Sequence, residues 1–221
     1  MKYDKSYLRK RSLLRRKKKY LITKEFNFNL IFDLIRKHFD TKKIVIAGYY
    51  PSNYEVNILN FLEHASKKKF RIALPVIESS NKMSFRSWVF KEPLHVNQFG
   101  ILEPKNSKKT IIPDLIMVPL VAFDNRLNRI GYGKGYYDRS LKKISKTKKN
   151  AISLGIAYSF QKCKKIPTNK HDFKLDYIFT EKGIINPNKS IMNILILGDI
   201  MGPSGREAII KKLPNLIKKK N

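Results

Sequence analysis

Lys43-Ile44-Val45-Ile46-Ala47-Gly48-Tyr49 and Phe70-Arg71-Ile72-Ala73-Leu74-Pro75-Val76 decide the fold class. Both are short apolar runs, too short for a buried helix and long enough for a buried strand. Between them, Tyr54 to Lys67 reads as a helix, with Val56, Leu59, Phe61 and Leu62 available for packing. Strand, helix and strand over about thirty residues make a parallel crossover unit.

The same alternation continues outward. Asp114 to Leu120 (DLIMVPL) is another buried strand, whose end Pro119 marks. Ala151 to Ala157 and Leu175 to Thr180 add two more, and a helix is expected from about Tyr136. Lys82 to Val89 alternates and suggests a strand with one wetter face. Phe99 to Pro113, with Gly100, Pro104 and Asn106, reads as loop. On the N-terminal side, Phe28, Ile31, Phe32, Ile35 and Phe39 fall at helical spacing, and Lys5 to Tyr20 are mostly good helix formers. The expected class is α/β, an open layered, mostly parallel sheet with helices on both faces.

A chain of 221 residues with 42% hydrophobic content supports one domain, or one domain with an appendage. No run of about 18 apolar residues suggests a membrane span. Met1 to Lys19 lacks the apolar stretch of a signal peptide. Cys163 is the single cysteine, so an internal disulfide is excluded and a reducing, cytoplasmic setting is expected. The net charge of +30 favours an anionic partner, yet the lysines run through every segment, as compositional bias would place them. The rival reading, a basic nucleic-acid-binding protein, finds no zinc motif, helix-turn-helix pattern or aromatic RNA-binding signature. His38, His64 and His95 are too scattered to form a metal cluster, and His171 stands out only because Asp172 follows it.

Chemistry concentrates in Arg129-Ile130-Gly131-Tyr132-Gly133-Lys134-Gly135-Tyr136-Tyr137-Asp138-Arg139, between an expected strand and an expected helix. Alternating glycines let consecutive amides form an anion nest at a helix N-terminus. Lys134 and Arg129 add positive charge, and Asp138 offers oxygen to a hard cation. The spacing matches neither the dinucleotide fingerprint nor the Walker loop. By spacing alone, a tight strand-to-helix turn with ordinary glycines explains it equally well.

Preceded by Pro119-Leu120-Val121-Ala122-Phe123-Asp124, this turn resembles the signature of the 5-formyltetrahydrofolate cyclo-ligase family. Glu55-Val56-Asn57, Leu74-Pro75-Val76, Phe99-Gly100-Ile101-Leu102-Glu103-Pro104, Gly155-Ile156-Ala157-Tyr158, His171-Asp172 and Leu175-Asp176 agree in order. The resemblance covers roughly Lys5 to Ile185. Asn57, Ile130 and Asn128 depart from the common residues without removing a group that has an obvious chemical task.

The resemblance implies ATP and magnesium as cofactors and 5-formyltetrahydrofolate, with or without a polyglutamate tail, as substrate. It assigns the nucleotide to Lys5-Ser6-Tyr7-Leu8-Arg9 and Arg129 to Tyr137, with Lys134 and Arg129 as catalytic cations. It gives the folate to Tyr50, Glu55 and Tyr132 to Tyr136, and the metal to Asp138 and Asp172. The bland alternatives are a solvated basic helix for Lys5 to Arg9 and helix-end charges for Glu55 and Asp138. For Tyr50 the alternative is core packing, and for Asp172 a surface loop. A monomer with neither nucleic acid nor membrane as partner is expected. The ligase domain is expected to span 1–190. Residues 191–221 form a tail that, from Met192 through Gly198-Asp199, resembles the start of a bacterial calcineurin-like metallophosphoesterase lacking its downstream ligands.

Overall fold

The apolar runs alternate their side chains between the two sides of one sheet. In the computed structural model, which describes residues 4–22, 25–40, 43–79, 82–105 and 109–186, the elements follow in this order: α1 (Lys5–Lys19), α2 (Asn29–His38), β1 (Val45–Ala47), α3 (Leu59–Lys67), β2 (Arg71–Ser79), β3 (Lys82–Ser87), β4 (His95–Val96), β5 (Leu102–Glu103), β6 (Thr110–Ile111), β7 (Leu115–Pro119), β8 (Ala122–Phe123), β9 (Arg129–Ile130), α4 (Tyr136–Thr147), β10 (Ile152–Ile156), β11 (Tyr177–Thr180) and β12 (Gly183–Ile185). The tail from Met192 through Gly198-Asp199 lies outside the described residues.

Eight strands form the main sheet in the order β12-β11-β10-β7-β1-β2-β3-β6. The five central strands are parallel, with Ile46 opposite both Ile72 and Leu115. The antiparallel strands β3, β6 and β12 lie at the margins. Ile46, Ile72, Leu74, Leu115 and Met117 pack under α2 and α3, through Ile31, Phe32, Ile35, Phe61 and Leu62. Val45, Ala47, Ala73, Ile116 and Val118 face the other way, toward Leu141 and Ile144 of α4. Helices therefore cover both faces of a mostly parallel open sheet, as the sequence pattern predicts.

Two local readings need correction. The helix expected from Tyr54 starts at Leu59. Asn53 and Tyr54 take positive φ values of 47° and 61°, which no right-handed helix accepts. The Asn57 side chain then accepts a hydrogen bond from the Leu59 amide. The loop expected from Phe99 to Pro113 contains β5, paired with β4, and β6, paired with β3. Asn97 shapes the first of these hairpins by accepting from the Phe99 and Ile101 amides.

From β1 the chain builds outward through β2 on one side. It returns to place β7, then β10 and β11, on the other. Strand order thus reverses between β1 and β7, and in open α/β sheets the crevice beyond the carboxyl ends of such strands takes the ligand.

Candidate active site

That crevice is a cavity of about 940 Å³, near the top of the range of roughly 300–1,000 Å³ for small-molecule sites. Tyr49 and Tyr50 reach it from the end of β1, Pro75 and Ile77 from β2, and Pro119 from the end of β7. The glycine turn crosses it between β9 and α4, and the Asn97 to Glu103 hairpin forms another wall.

Not every glycine in the turn has the same task. Gly133 and Gly135 have φ of 99° and 69°, and a Cβ on Gly135 would lie 2.8 Å from an Arg139 guanidinium nitrogen. Gly131 lacks positive φ, and a Cβ there meets nothing within 4 Å. Gly135→Ala should therefore lose about 1–2 kcal/mol of stability, from the left-handed backbone alone. Gly131→Ala should lose well under that, as read from denaturant midpoints.

Gly135 is also the N-cap of α4 and brings no side chain to the free amides of the first turn. Those amides and the helix dipole favour an anion. Lys134 is exposed on the turn, its ammonium 6.0 Å from the Phe99 ring centroid. Arg129, by contrast, is 8% exposed and already engaged. It donates to Asp138 Oδ1 at 2.7 Å and to the Phe173 carbonyl at 2.6 Å. The Phe173 amide closes the link by donating to the same Asp138 oxygen at 2.9 Å. This clamp sets the loop bearing Asp172 against the start of α4.

Lys5, Arg9, Tyr50, Glu55, Arg129 to Tyr137, Asp138 and Asp172 all line the cavity. Ser6, Tyr7 and Leu8 do not; Ser6 and Tyr7 are exposed, and Leu8 packs with Leu13 against Val121, Ala122 and Ile130. Lys5 holds both Asp172 oxygens, at 2.6 and 2.5 Å, and Arg9 Nε donates to the Gly131 carbonyl at 2.8 Å. Burial alone would raise the Asp172 carboxyl, but the Lys5 ammonium and the Asn169 amide outweigh it and hold it below its usual range. Both Asp138 and Asp172 thus sit against cations, and the described residues contain no group of three or more His, Cys, Asp or Glu suited to a metal. Two carboxylates do not cage an ion. They do fit magnesium, which keeps several waters and is shared with substrate phosphates.

Glu55 is 9% exposed. It precedes α3 by four residues, so it is not a helix-end charge. One oxygen accepts from the Ser52 amide at 2.9 Å, and the other from the Tyr132 hydroxyl at 2.8 Å. Burial raises its carboxyl, opposed by these hydrogen bonds and by Arg16. Arg16 went unnoticed in the sequence because it lies inside a basic run. The available signal was its spacing from Lys5 and Arg9. Asp124 of the signature, at 2% exposure, serves the fold. It accepts from the Arg126, Asn128 and Ile166 amides, and the Asn128 side chain donates to it as well.

A crevice that joins a helix N-terminus flanked by cations to a buried carboxylate, at the switch point of an open α/β sheet, has the layout of a small-molecule enzyme site. The 5-formyltetrahydrofolate cyclo-ligase family profile matches residues 1–181, and the chain belongs to that family. The 5-formyltetrahydrofolate cyclo-ligase of Haemophilus influenzae is 33% identical over 136 residues, 59% of this chain and 72% of its own. That of Mycoplasma genitalium is 32% identical over 178 residues, 79% of this chain and 96% of its own. The NMR structure of Aquifex aeolicus 5,10-methenyltetrahydrofolate synthetase superposes with a TM-score of 0.64 at 29% identity, over 84% of this chain and 93% of that one. The synthetase from Mycoplasma pneumoniae gives 0.59 at 26% identity, over 84% and 99%.

Proposed function

We propose that this cavity binds ATP and 5-formyltetrahydrofolate side by side and transfers the γ-phosphoryl group to the formyl oxygen. The enzyme is a 5-formyltetrahydrofolate cyclo-ligase, converting its substrate to 5,10-methenyltetrahydrofolate at the expense of ATP. The observation that carries the site assignment is the pairing, within one cavity, of an uncapped helix N-terminus beside Lys134 with the buried, oriented Glu55.

The task is placement and charge neutralisation rather than strong-base catalysis. The α4 amides, Lys134, Arg9 and Lys5 hold the phosphates. Glu55 accepts from the pterin N–H donors, with Tyr50 and the Tyr132 to Tyr136 stretch along the ring system. Asp138 and Asp172 are the residues that would hold magnesium, which when bound would supply charge neutralisation at the phosphates. Lys5, paired with Asp172 in the free protein, would then be released to a phosphate oxygen. Attack by the formyl oxygen on the γ-phosphorus releases ADP; N10 then bonds to the activated carbon and gives its proton to the phosphate, which leaves with the former formyl oxygen.

Among the described residues no helix is long and apolar enough to cross a membrane. Our reading is a cytoplasmic monomer with no nucleic-acid or membrane partner. We read the excess positive charge as compositional bias, and the folate substrate as one with or without a polyglutamate tail. The ligase unit is residues 1–190, and the 191–221 tail is an appendage without phosphodiesterase activity. The test follows loss of 5-formyltetrahydrofolate and gain of the methenyl product, with and without ATP, in the intact chain and in one ending at Ser190. Equal, strictly ATP-dependent rates are expected. ATP-independent conversion would sink the functional reading, and a folded but inactive shorter chain would sink the domain assignment.

A further inference from the structure

Helix α1 buries little apolar surface, only Leu8 and Leu13 joining a hydrophobic cluster. Its cations hold it in place. At 100° per residue, Lys5, Arg9 and Arg16 fall within about 40° of one another on the helix. The first two reach the phosphate side of the cavity. Arg16 goes elsewhere, and at 1% exposure it is among the largest fully buried side chains in the described residues.

Among the described residues Arg16 makes no ion pair. One terminal nitrogen donates to the Leu120 carbonyl at 3.1 Å and the other to the Tyr132 hydroxyl at 2.5 Å. Its Nε is buried without a partner among the described residues. Burying a cation without a directly bonded carboxylate is unfavourable by several kcal/mol, so packing alone does not explain an arginine here. The geometry explains it. A hydroxyl has one proton, and because Tyr132 accepts from Arg16, that proton is committed to Glu55 Oε1 at 2.8 Å. Ser52 fixes Oε2. The carboxylate is thereby held at both oxygens, with lone pairs left for a ligand.

We infer that Arg16 is a positioning residue for folate, acting through the Tyr132 hydroxyl to hold Glu55 as an oriented anion. The inference rests on the reading that Glu55 takes the pterin. It gives α1 two tasks, nucleotide contacts from its first turns and folate orientation from its last. The charged and titratable groups around Glu55 are Arg16 from α1, Tyr132 from the glycine turn, Tyr49 after β1, Tyr137 of α4 and Tyr158 after β10. Burial pushes all four phenols up, so Glu55 is the group in this ring that changes charge on the acidic side.

The experiment is calorimetric titration of the full chain with 5-formyltetrahydrofolate and, separately, with ATP, across the acidic to neutral range. Arg16→Gln should weaken folate binding about tenfold at neutral pH and move the acidic midpoint of folate affinity upward, since a nearby cation favours the carboxylate. ATP affinity should change by less than about threefold, a third of the folate effect. Arg16→Lys keeps the charge and should hold the midpoint close to that of the unaltered chain. Tyr132→Phe, which leaves Arg16 in place, should also move the midpoint upward. An unmoved midpoint in folded Arg16→Gln or Tyr132→Phe overturns the inference, as does an equal loss of ATP and folate affinity. Glu55→Gln separates the two levels. Normal folate binding in that variant removes the underlying pterin assignment, whereas weakened binding with an unmoved Arg16→Gln midpoint removes the Arg16 role alone.

Discussion

Lys134→Ala should lower cyclo-ligase turnover by about 10²-fold or more while leaving the fold intact, the scale of losing a preorganised charge at a developing anion. The side chain is exposed, stands over Phe99 and makes no ion pair among the described residues. Its removal therefore strands no buried partner. The backbone on either side is fixed independently, by the left-handed Gly133 and Gly135 and by Arg139 donating to the Lys134 carbonyl at 2.9 Å. Rate loss without stability loss is the expected signature, measured as methenyl product formation alongside a denaturation curve. Arg129→Ala would make a poorer test, because it also leaves Asp138 and the Phe173 carbonyl without their guanidinium. Near-normal turnover in folded Lys134→Ala would remove this lysine from the phosphate site.

Glu55→Gln should weaken 5-formyltetrahydrofolate binding by about 10–100-fold, the equivalent of one charged hydrogen bond of about 1.5–3 kcal/mol. ATP binding should change far less. The pH dependence has a definite sign. Burial raises the Glu55 carboxyl, so its anion forms at higher pH than that of an exposed glutamate. Folate affinity should rise with pH along a limb above the ordinary carboxylate range, and it should be lost as pH falls through the raised value. The glutamine variant should lack this limb. Calorimetry on both ligands checks this, and equal losses for ATP and folate would count against the assignment.

The central strands were legible because buried parallel strands are written as short apolar runs, and β1, β2, β7, β10 and β11 all appear where Lys43 to Tyr49 and its counterparts place them. The start of α3 was not legible. Val56 stands three residues before Leu59, a helical spacing that extends the expected helix back toward Tyr54, but two consecutive positive φ values at Asn53 and Tyr54 hold the segment in a turn. That turn is what brings Glu55 onto the cavity wall instead of onto a helix. The β4–β5 hairpin was hidden because pairs of two residues carry no periodicity; its organiser, Asn97, uses side-chain hydrogen bonds that a pattern search does not weigh.

At the site, the glycine turn announced itself by spacing, although only two of its three glycines need their conformational freedom. Asp138 stood out in the glycine turn as an oxygen donor, whereas Lys5, Arg9 and Asp172 were found through resemblance to the family; nothing in their spacing tells that Lys5 meets Asp172 across the chain. Arg16 was missed because one buried cation among ten Lys and Arg in the first twenty residues looks like solvated charge. A helical wheel anchored on Lys5 and Arg9 would have picked it out.

The central claim is that this cavity phosphorylates the formyl oxygen, and oxygen tracing tests it most directly. 5-Formyltetrahydrofolate labelled with ¹⁸O in the formyl group is turned over by the intact chain with unlabelled ATP, and the inorganic phosphate is analysed for label. If the formyl oxygen bonds to the γ-phosphorus and the carbon–oxygen bond then breaks at ring closure, each phosphate released carries one labelled oxygen. Label appearing in water, with unlabelled phosphate, would contradict the account.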